Sequence, residues 1–260
     1  MAFFFASEIN RRSSNEDSYC QMEIHMNAEA VVKAMVVADG MGGHRAGDKA
    51  SRMAIDITVD FVEKSTIENP VALLKRAMLF VNNEIYKAAC ADPDLNGMGT
   101  TMVAAVAQDG KLYVANVGDS RLYAIGGEIR QITMDHSLVE ELIRKGELER
   151  KKGRNHPEKN IITKAMGSRD EMMPDFFEID INTEEKYLLC SDGLSNMVED
   201  DEIRDIVSEE DDLDRIAQEL VDRANYYGGS DNISVIIIAN EIKKAQKNII
   251  VASMAPNGQM

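Results

Sequence analysis

The chain has 260 residues, 44% of them hydrophobic and 28% charged, with a formal net charge of −16. This is the composition of an ordinary globular protein with enough chain for a substantial core, and the acidic balance argues against a nucleic-acid partner, whose backbone calls for a basic face. No apolar run approaches the ~20 residues of a membrane span, residues 1–5 are too short for a signal core, and the odd, unpaired Cys20, Cys90 and Cys190 suit free thiols, so a cytoplasmic location without membrane insertion is expected.

Taken in chain order, residues 30–38 are a Val-rich run with the character of a buried strand. A helix is predicted from about 47 to 62, with Ala50, Met53, Ala54, Ile57 and Phe61 on one face. A second follows Pro70, a good first-turn residue, with Val71, Leu74, Met78, Val81, Ile85 and Ala88 at helical spacing. Residues 101–107, Lys111–Val117, Arg121–Ile125 and 128–133 then read as a strand meander, turned by Asp109-Gly110 and Gly126-Gly127. The stretch 146–180 is polar and punctuated by Gly146, Gly153, Pro157, Gly167 and Pro174, which suggests a loop or small flap. Beyond it, an apolar strand ends at Cys190, Leu213, Ile216, Ala217, Leu220, Val221 and Ala224 make a third amphipathic face, and Ile233–Ala239 is a closing central strand. The order lacks strict βαβ alternation, so the expected class is α+β with packed sheets and flanking helices. Without repeats or linkers, residues 1–242 read as one domain and 243–260 as a tail.

Four aspartates stand at an end of an apolar run: Ala38-Asp39-Gly40, Val117-Gly118-Asp119-Ser120, Ser191-Asp192-Gly193 and, beside the closing strand, Ser230-Asp231-Asn232. Any one of them alone is an ordinary turn residue. If the strands lie side by side the carboxylates converge, and converging carboxylates raise each other's pKa unless a cation neutralises them. Other chemistries fail simple tests. Six positions beyond each cysteine stand Met26, Asn96 and Asn196 rather than the arginine of a cysteine phosphatase. No serine-hydrolase elbow surrounds Ser120 or Ser195, and His25, His44, His136 and His156 show no zinc-type pairing. Oxygen ligands for magnesium or manganese remain.

Read together, Arg12-Ser13-Ser14-Asn15-Glu16-Asp17, Asp39-Gly40-Met41-Gly42-Gly43-His44, Gly99-Thr100-Thr101, Gly118-Asp119-Ser120-Arg121, Asp135-His136-Ser137, Ser191-Asp192-Gly193 and Gly229-Ser230-Asp231-Asn232 follow a characteristic order. Over about residues 8 to 240 the chain resembles the bacterial branch of the metal-dependent type 2C (PPM family) serine/threonine protein phosphatases. The resemblance implies a central β-sandwich of two antiparallel sheets flanked by helix pairs, a four-layer αββα arrangement with a small flap. It implies that Asp39 bridges two Mn²⁺ or Mg²⁺ ions, that Asp192 and Asp231 complete the first, and that Glu16 and the Gly40 carbonyl complete the second. Asp119 with Asp192 would hold a third. Asp17 would stand beside the site, Asn232 would steady Asp231, and Arg12 would grip the substrate phosphate while a metal-bridged hydroxide attacks phosphorus. The implied substrates are phosphorylated proteins, including a cognate serine/threonine kinase, and a monomer is expected.

Two departures accompany the resemblance. His44 suits a general acid chemically, but the animal branch places its histidine directly after Asp-Gly, where this chain has Met41. The stretch Glu149-Arg150-Lys151-Lys152-Gly153-Arg154 is basic for so acidic a chain, either to meet acidic phosphopeptides or as a solvated charge run. Rival functions are a phosphatase of an anti-sigma-factor antagonist, whose relatives usually carry sensor domains this length leaves no room for, and a non-catalytic phosphatase fold. Loss of metal acids would mark the latter, and here every one is present.

Overall fold

The computed structural model describes residues 2–25, 31–42 and 44–239, with side chains over 4–24, 32–42 and 46–239. The expected tail, 243–260, lies outside them. In chain order the elements are strands β1 (Ala2–Glu8), β2 (Asp17–His25) and β3 (Val31–Met41), helices α1 (His44–Glu63) and α2 (Pro70–Ala91), and strands β4 (Gly99–Thr100), β5 (Met102–Gln108), β6 (Lys111–Val117), β7 (Arg121–Ile125) and β8 (Ile129–Gln131). Then come α3 (Leu138–Arg144), α4 (Arg150–Gly153), β9 (Asp175–Asp180), β10 (Lys186–Cys190), α5 (Asp192–Ser195), α6 (Asp200–Glu209), α7 (Leu213–Tyr226) and β11 (Ile233–Ala239).

The strands form two antiparallel sheets, β1-β11-β10-β7-β8 and β2-β3-β5-β6-β9, with β4 paired to the end of β3. Strand alternation decides which side chain enters which layer. Along β11, Ile236 and Ile238 point between the sheets with Met35, Val103, Leu122 and Leu189, whereas Ile233, Val235 and Ile237 pack under α6 and α7. The outer face of the other sheet is covered by α1 and α2 through Ala50, Ala54, Leu74, Met78, Val81 and Ile85. The result is the expected four-layer αββα sandwich of the α+β class. Local chemistry supports it: Asn69 caps α2 by accepting from the Ala72 N–H, with Pro70 at the first turn. Asp109 and Gly110 both take the left-handed conformation of a tight hairpin turn.

Two elements depart from the sequence expectation. The flap predicted over 146–180 starts earlier, with α3, and ends earlier, because Asp175–Asp180 is strand β9 on the edge of the larger sheet, paired with β6. Its Phe177 and Ile179 join the layer between the sheets, a tertiary contact invisible to local composition. Strand β2 was not anticipated. It is the opposite edge strand, with Cys20, Met22 and Ile24 turned toward the helix-side core and Gln21 and Glu23 exposed.

Every strand end that carries a candidate acid reaches the same end of the sandwich. Asp17 starts β2 directly across from Asp39 on β3, Asp119 sits in the link from β6 to β7 that passes from one sheet to the other, Asp192 follows β10, and Asp231 precedes β11.

Candidate active site

Asp39 is the hub. Its backbone is fixed by Thr101, whose hydroxyl accepts the Asp39 N–H at 3.0 Å, while its carbonyl accepts from the Thr101 N–H at 2.8 Å and the Thr100 hydroxyl at 2.9 Å. Burial, then the charges of Asp17, Asp192, Asp119 and Asp231, hold its pKa well above the usual carboxylate range. Burial also pushes Asp192 up to about 6, with the charge of Asp231 adding to it, and Asp192 relieves some of this through a hydrogen bond with Asp39. Asp17 is pushed up to about 7 by burial despite the Ser191 hydroxyl donating to it at 2.7 Å. Asp119 is raised by burial and by Asp192.

These carboxylates are incompletely satisfied. One oxygen each of Asp17, Asp119 and Asp192 is buried without a hydrogen-bond partner among the described residues, a costly state for a charged acceptor. No three Asp, Glu, His or Cys side chains among the described residues already stand as a finished metal-binding group; the acids instead share contacts with each other and with hydroxyls. Buried carboxylate oxygens without partners, on acids near enough to raise one another's pKa, are the donor chemistry that hard divalent cations take. The residues present therefore fit such ions.

The rest of the rim is built from backbone approach and one amide. Gly40 and Gly47 let β3 meet the first turn of α1: a Cβ on Gly40 would fall 2.1 Å from the Gly47 carbonyl oxygen, and one on Gly47 would fall 2.3 Å from Glu16 Oε2. That close approach sets Glu16 against the end of β3, where the Gly40 N–H donates to the Glu16 carbonyl at 3.0 Å. Asn232 meets Asp231 through its backbone, whose N–H donates to the Asp231 carboxylate at 2.9 Å. Its side chain accepts from the Glu16 N–H at 2.9 Å and donates to the carbonyls of Ile9 and Ser14, tying the whole 9–16 segment to β11. Arg12 donates through Nη2 to Asp231 at 2.7 Å and through Nε to the Ser230 carbonyl at 3.3 Å, its side chain about half exposed at 47%. His44 is the first residue of α1, and its side chain lies outside the described ones. His136 holds backbone instead: its Nδ1 accepts the Gly118 N–H at 3.1 Å, one residue before Asp119. Sequence reasoning missed Thr101, Ser191 and Asn196, the last donating to Asp192 at 2.8 Å. Ser191 stands beside Asp192 in a string already singled out, but its partner Asp17 is 174 positions away.

Known proteins resemble the chain in sequence and fold. The family model described as protein phosphatase 2C matches residues 6–234. The chain belongs to the protein phosphatase 2C family. Among its relatives in that family, the serine/threonine phosphatase stp of Listeria monocytogenes is 42% identical over 236 residues, covering 89% of this chain and 92% of the relative. The crystal structure of the serine/threonine phosphatase Stp1 from Staphylococcus aureus superposes with a TM-score of 0.87 at 32% identity, covering 92% of this chain and 94% of that one. The catalytic domain of the serine/threonine phosphatase PstP, solved in complex with two manganese ions, superposes at 0.79 with 29% identity, covering 92% and 98%. In this protein phosphatase 2C chain two of the candidate acids, Asp119 and Asp192, line a cleft of about 500 Å³ walled by α3, α4 and the segment joining α5 to α6.

Proposed function

We propose that the chain is a divalent-metal-dependent protein serine/threonine phosphatase that hydrolyses phosphoserine and phosphothreonine. The observation that carries this is the set of four carboxylates bearing on Asp39 with three orphaned oxygens among the acids. Asp39 would be shared between two Mn²⁺ or Mg²⁺ ions, Asp192 and Asp231 completing one site, Glu16 and the Gly40 carbonyl the other, with Asp119 and Asp192 available to a third. Bound there, the ions supply positive charge for the phosphoryl oxygens and acidify a water.

The chain's own groups set the frame for that chemistry. Thr100 and Thr101 hold the Asp39 backbone, Asn232 holds Glu16 in place, and Ser191 turns Asp17 toward the acids. Arg12 has the planar fork that matches a phosphate monoester. Its bond to Asp231 at 2.7 Å keeps the guanidinium at the rim of the acid cluster. A proton for the departing seryl or threonyl oxygen is assigned to His44 on chemistry alone, since imidazole donates near neutral pH.

Residues 1–242 would form one catalytic domain acting on phosphorylated proteins, opposing a cognate serine/threonine kinase, as a monomer in the cytoplasm. Among the described residues, no helix is long and apolar enough to cross a membrane. The test is hydrolysis of a phosphothreonine peptide. Turnover should require added Mn²⁺, vanish in excess EDTA and vanish in Asp192→Asn; turnover that persists in EDTA contradicts the metal-dependent assignment.

A further inference from the structure

The residue directly before Asp119 is a glycine that the fold leaves no choice about. A Cβ on Gly118 would fall 2.6 Å from Thr101 Cβ, and its φ of +104° is one that side-chain-bearing residues rarely adopt. A swivel therefore stands next to a candidate acid, and His136 takes up its freedom. The His136 N–H donates to the Gly118 carbonyl at 2.9 Å, and its Nδ1 accepts the Gly118 N–H at 3.1 Å. These bonds grip the peptide planes on both sides of Gly118. Asn116 adds a longer bond, donating to the same carbonyl at 3.3 Å.

The imidazole is itself held. His136 is buried, with Nε2 3.2 Å from Asp175 Oδ2 at the start of β9. Because Nδ1 accepts from a backbone N–H, the proton of the neutral ring sits on Nε2 and is donated to Asp175. Lys164 Nζ lies 3.1 Å from Nε2 but is also a donor, so it binds the other Asp175 oxygen, at 3.2 Å. Burial lowers the His136 pKa against the pull of Asp175, which favours the neutral ring. The opposite tautomer would set one N–H against another and leave a buried donor unpaired. Building on the metal-dependent phosphatase assignment, we propose that His136 is a positioning residue, which Asp175 fixes in one tautomer so that the Gly118 link directs the Asp119 carboxylate toward Asp192. It acts through Asp119 and not on the phosphate.

Two measurements on the full chain test this. In metal-free protein labelled with ¹⁵N-histidine, long-range ¹H–¹⁵N correlation near neutral pH should place the His136 proton on Nε2, with Nδ1 bare. In Asp175→Ala the ring should become a mixture of tautomers. The second measurement is hydrolysis of p-nitrophenyl phosphate in rising Mn²⁺. His136→Gln reaches toward Asp175 but loses the Nδ1 acceptor, and should raise the half-maximal Mn²⁺ concentration about tenfold. His136→Asn, whose Oδ1 can replace Nδ1, should raise it about threefold or less, and KM for the phosphate ester should hold in both. In an Asp119→Asn background, His136→Gln should add less than about twofold, because the group it positions is gone. A proton on Nδ1, or a charged ring near neutral pH, overturns the inference. So does an equal rise from His136→Gln with and without Asp119, which would mark general loosening of the fold. In both cases the phosphatase assignment stands. A wild type with no Mn²⁺-dependent turnover brings down that assignment and the role of His136 with it.

Discussion

Asp39 carries the repulsion of four neighbouring carboxylates, so its substitution should separate function from stability. Asp39→Asn removes a charge that the metal-free fold tolerates poorly while keeping the shape. Its kcat should fall by at least ~1,000-fold. Its metal-free melting temperature in EDTA should rise by ~2–4 °C, the shift that ~1 kcal/mol gives in a chain of this size. Differential scanning calorimetry and peptide hydrolysis read the two effects separately. The raised pKa values of Asp192, about 6, and Asp17, about 7, set a pH dependence. In the unfolded chain these groups lose their protons near pH 4, so between about pH 4 and 7 the metal-free native state holds the extra protons. Stability of the metal-free protein from these groups therefore declines as pH rises through that window and is flat above it. Manganese must displace the same protons, so its affinity by titration calorimetry should rise from pH 5.5 to 7.5 with proton release. Asp39, Asp119, Asp192 and Asp231 are legible in the sequence because each adjoins an apolar run and sits beside a glycine, serine or asparagine, whereas Glu16 and Asp17 are reached only through the family resemblance. The supports of the acids are not legible: the Ser191–Asp17 and Asn232–Glu16 bonds join residues 174 and 216 positions apart.

At the scale of elements, the site depends on how closely β3 meets α1 and how firmly β11 holds the 9–16 segment. Gly40→Ala would drive a methyl group to 2.1 Å from the Gly47 carbonyl oxygen and 2.8 Å from that of Glu16. All are backbone atoms that cannot rotate away, so a loss of about 3 kcal/mol in urea unfolding is expected, with activity lost as well. Asn232→Ala deletes the bonds to Ile9, Ser14 and Glu16 and should cost about 2–3 kcal/mol. It should also raise the Mn²⁺ concentration for half-maximal activity more than it lowers kcat at saturating metal. The long helices and the Asp109-Gly110 hairpin could be read from sequence, since helical periodicity and a left-handed turn are local properties. Edge strands β2 and β9 could not, because their pairing comes from partners elsewhere in the chain. The flap was legible as a polar, glycine-broken stretch but not its limits, which Thr100 and Met166 help fix by pairing across 66 positions of sequence beside Asp39.

Across the whole molecule, the sandwich acts as a device for bringing strand ends together. The layer between the sheets, from Met35 and Val103 to Leu189 and Ile236, fixes one sheet against the other. Asp39 and Asp17 belong to one sheet, Asp192 and Asp231 to the other, and Asp119 to the link between them. No sheet alone carries the full set, which is why the acids are dispersed through the sequence and clustered in the fold. The net charge of −16 is partly an expression of this, because the cluster is complete only with its cations. The most direct test is diffraction from a crystal grown in Mn²⁺, with anomalous scattering used to place the metals. Two manganese peaks should appear with Asp39 bound to both, and Asp192 and Asp231 should be ligands of one. Peaks that avoid Asp39, or no peaks at the acids at saturating Mn²⁺ and pH 7.5, would contradict the account.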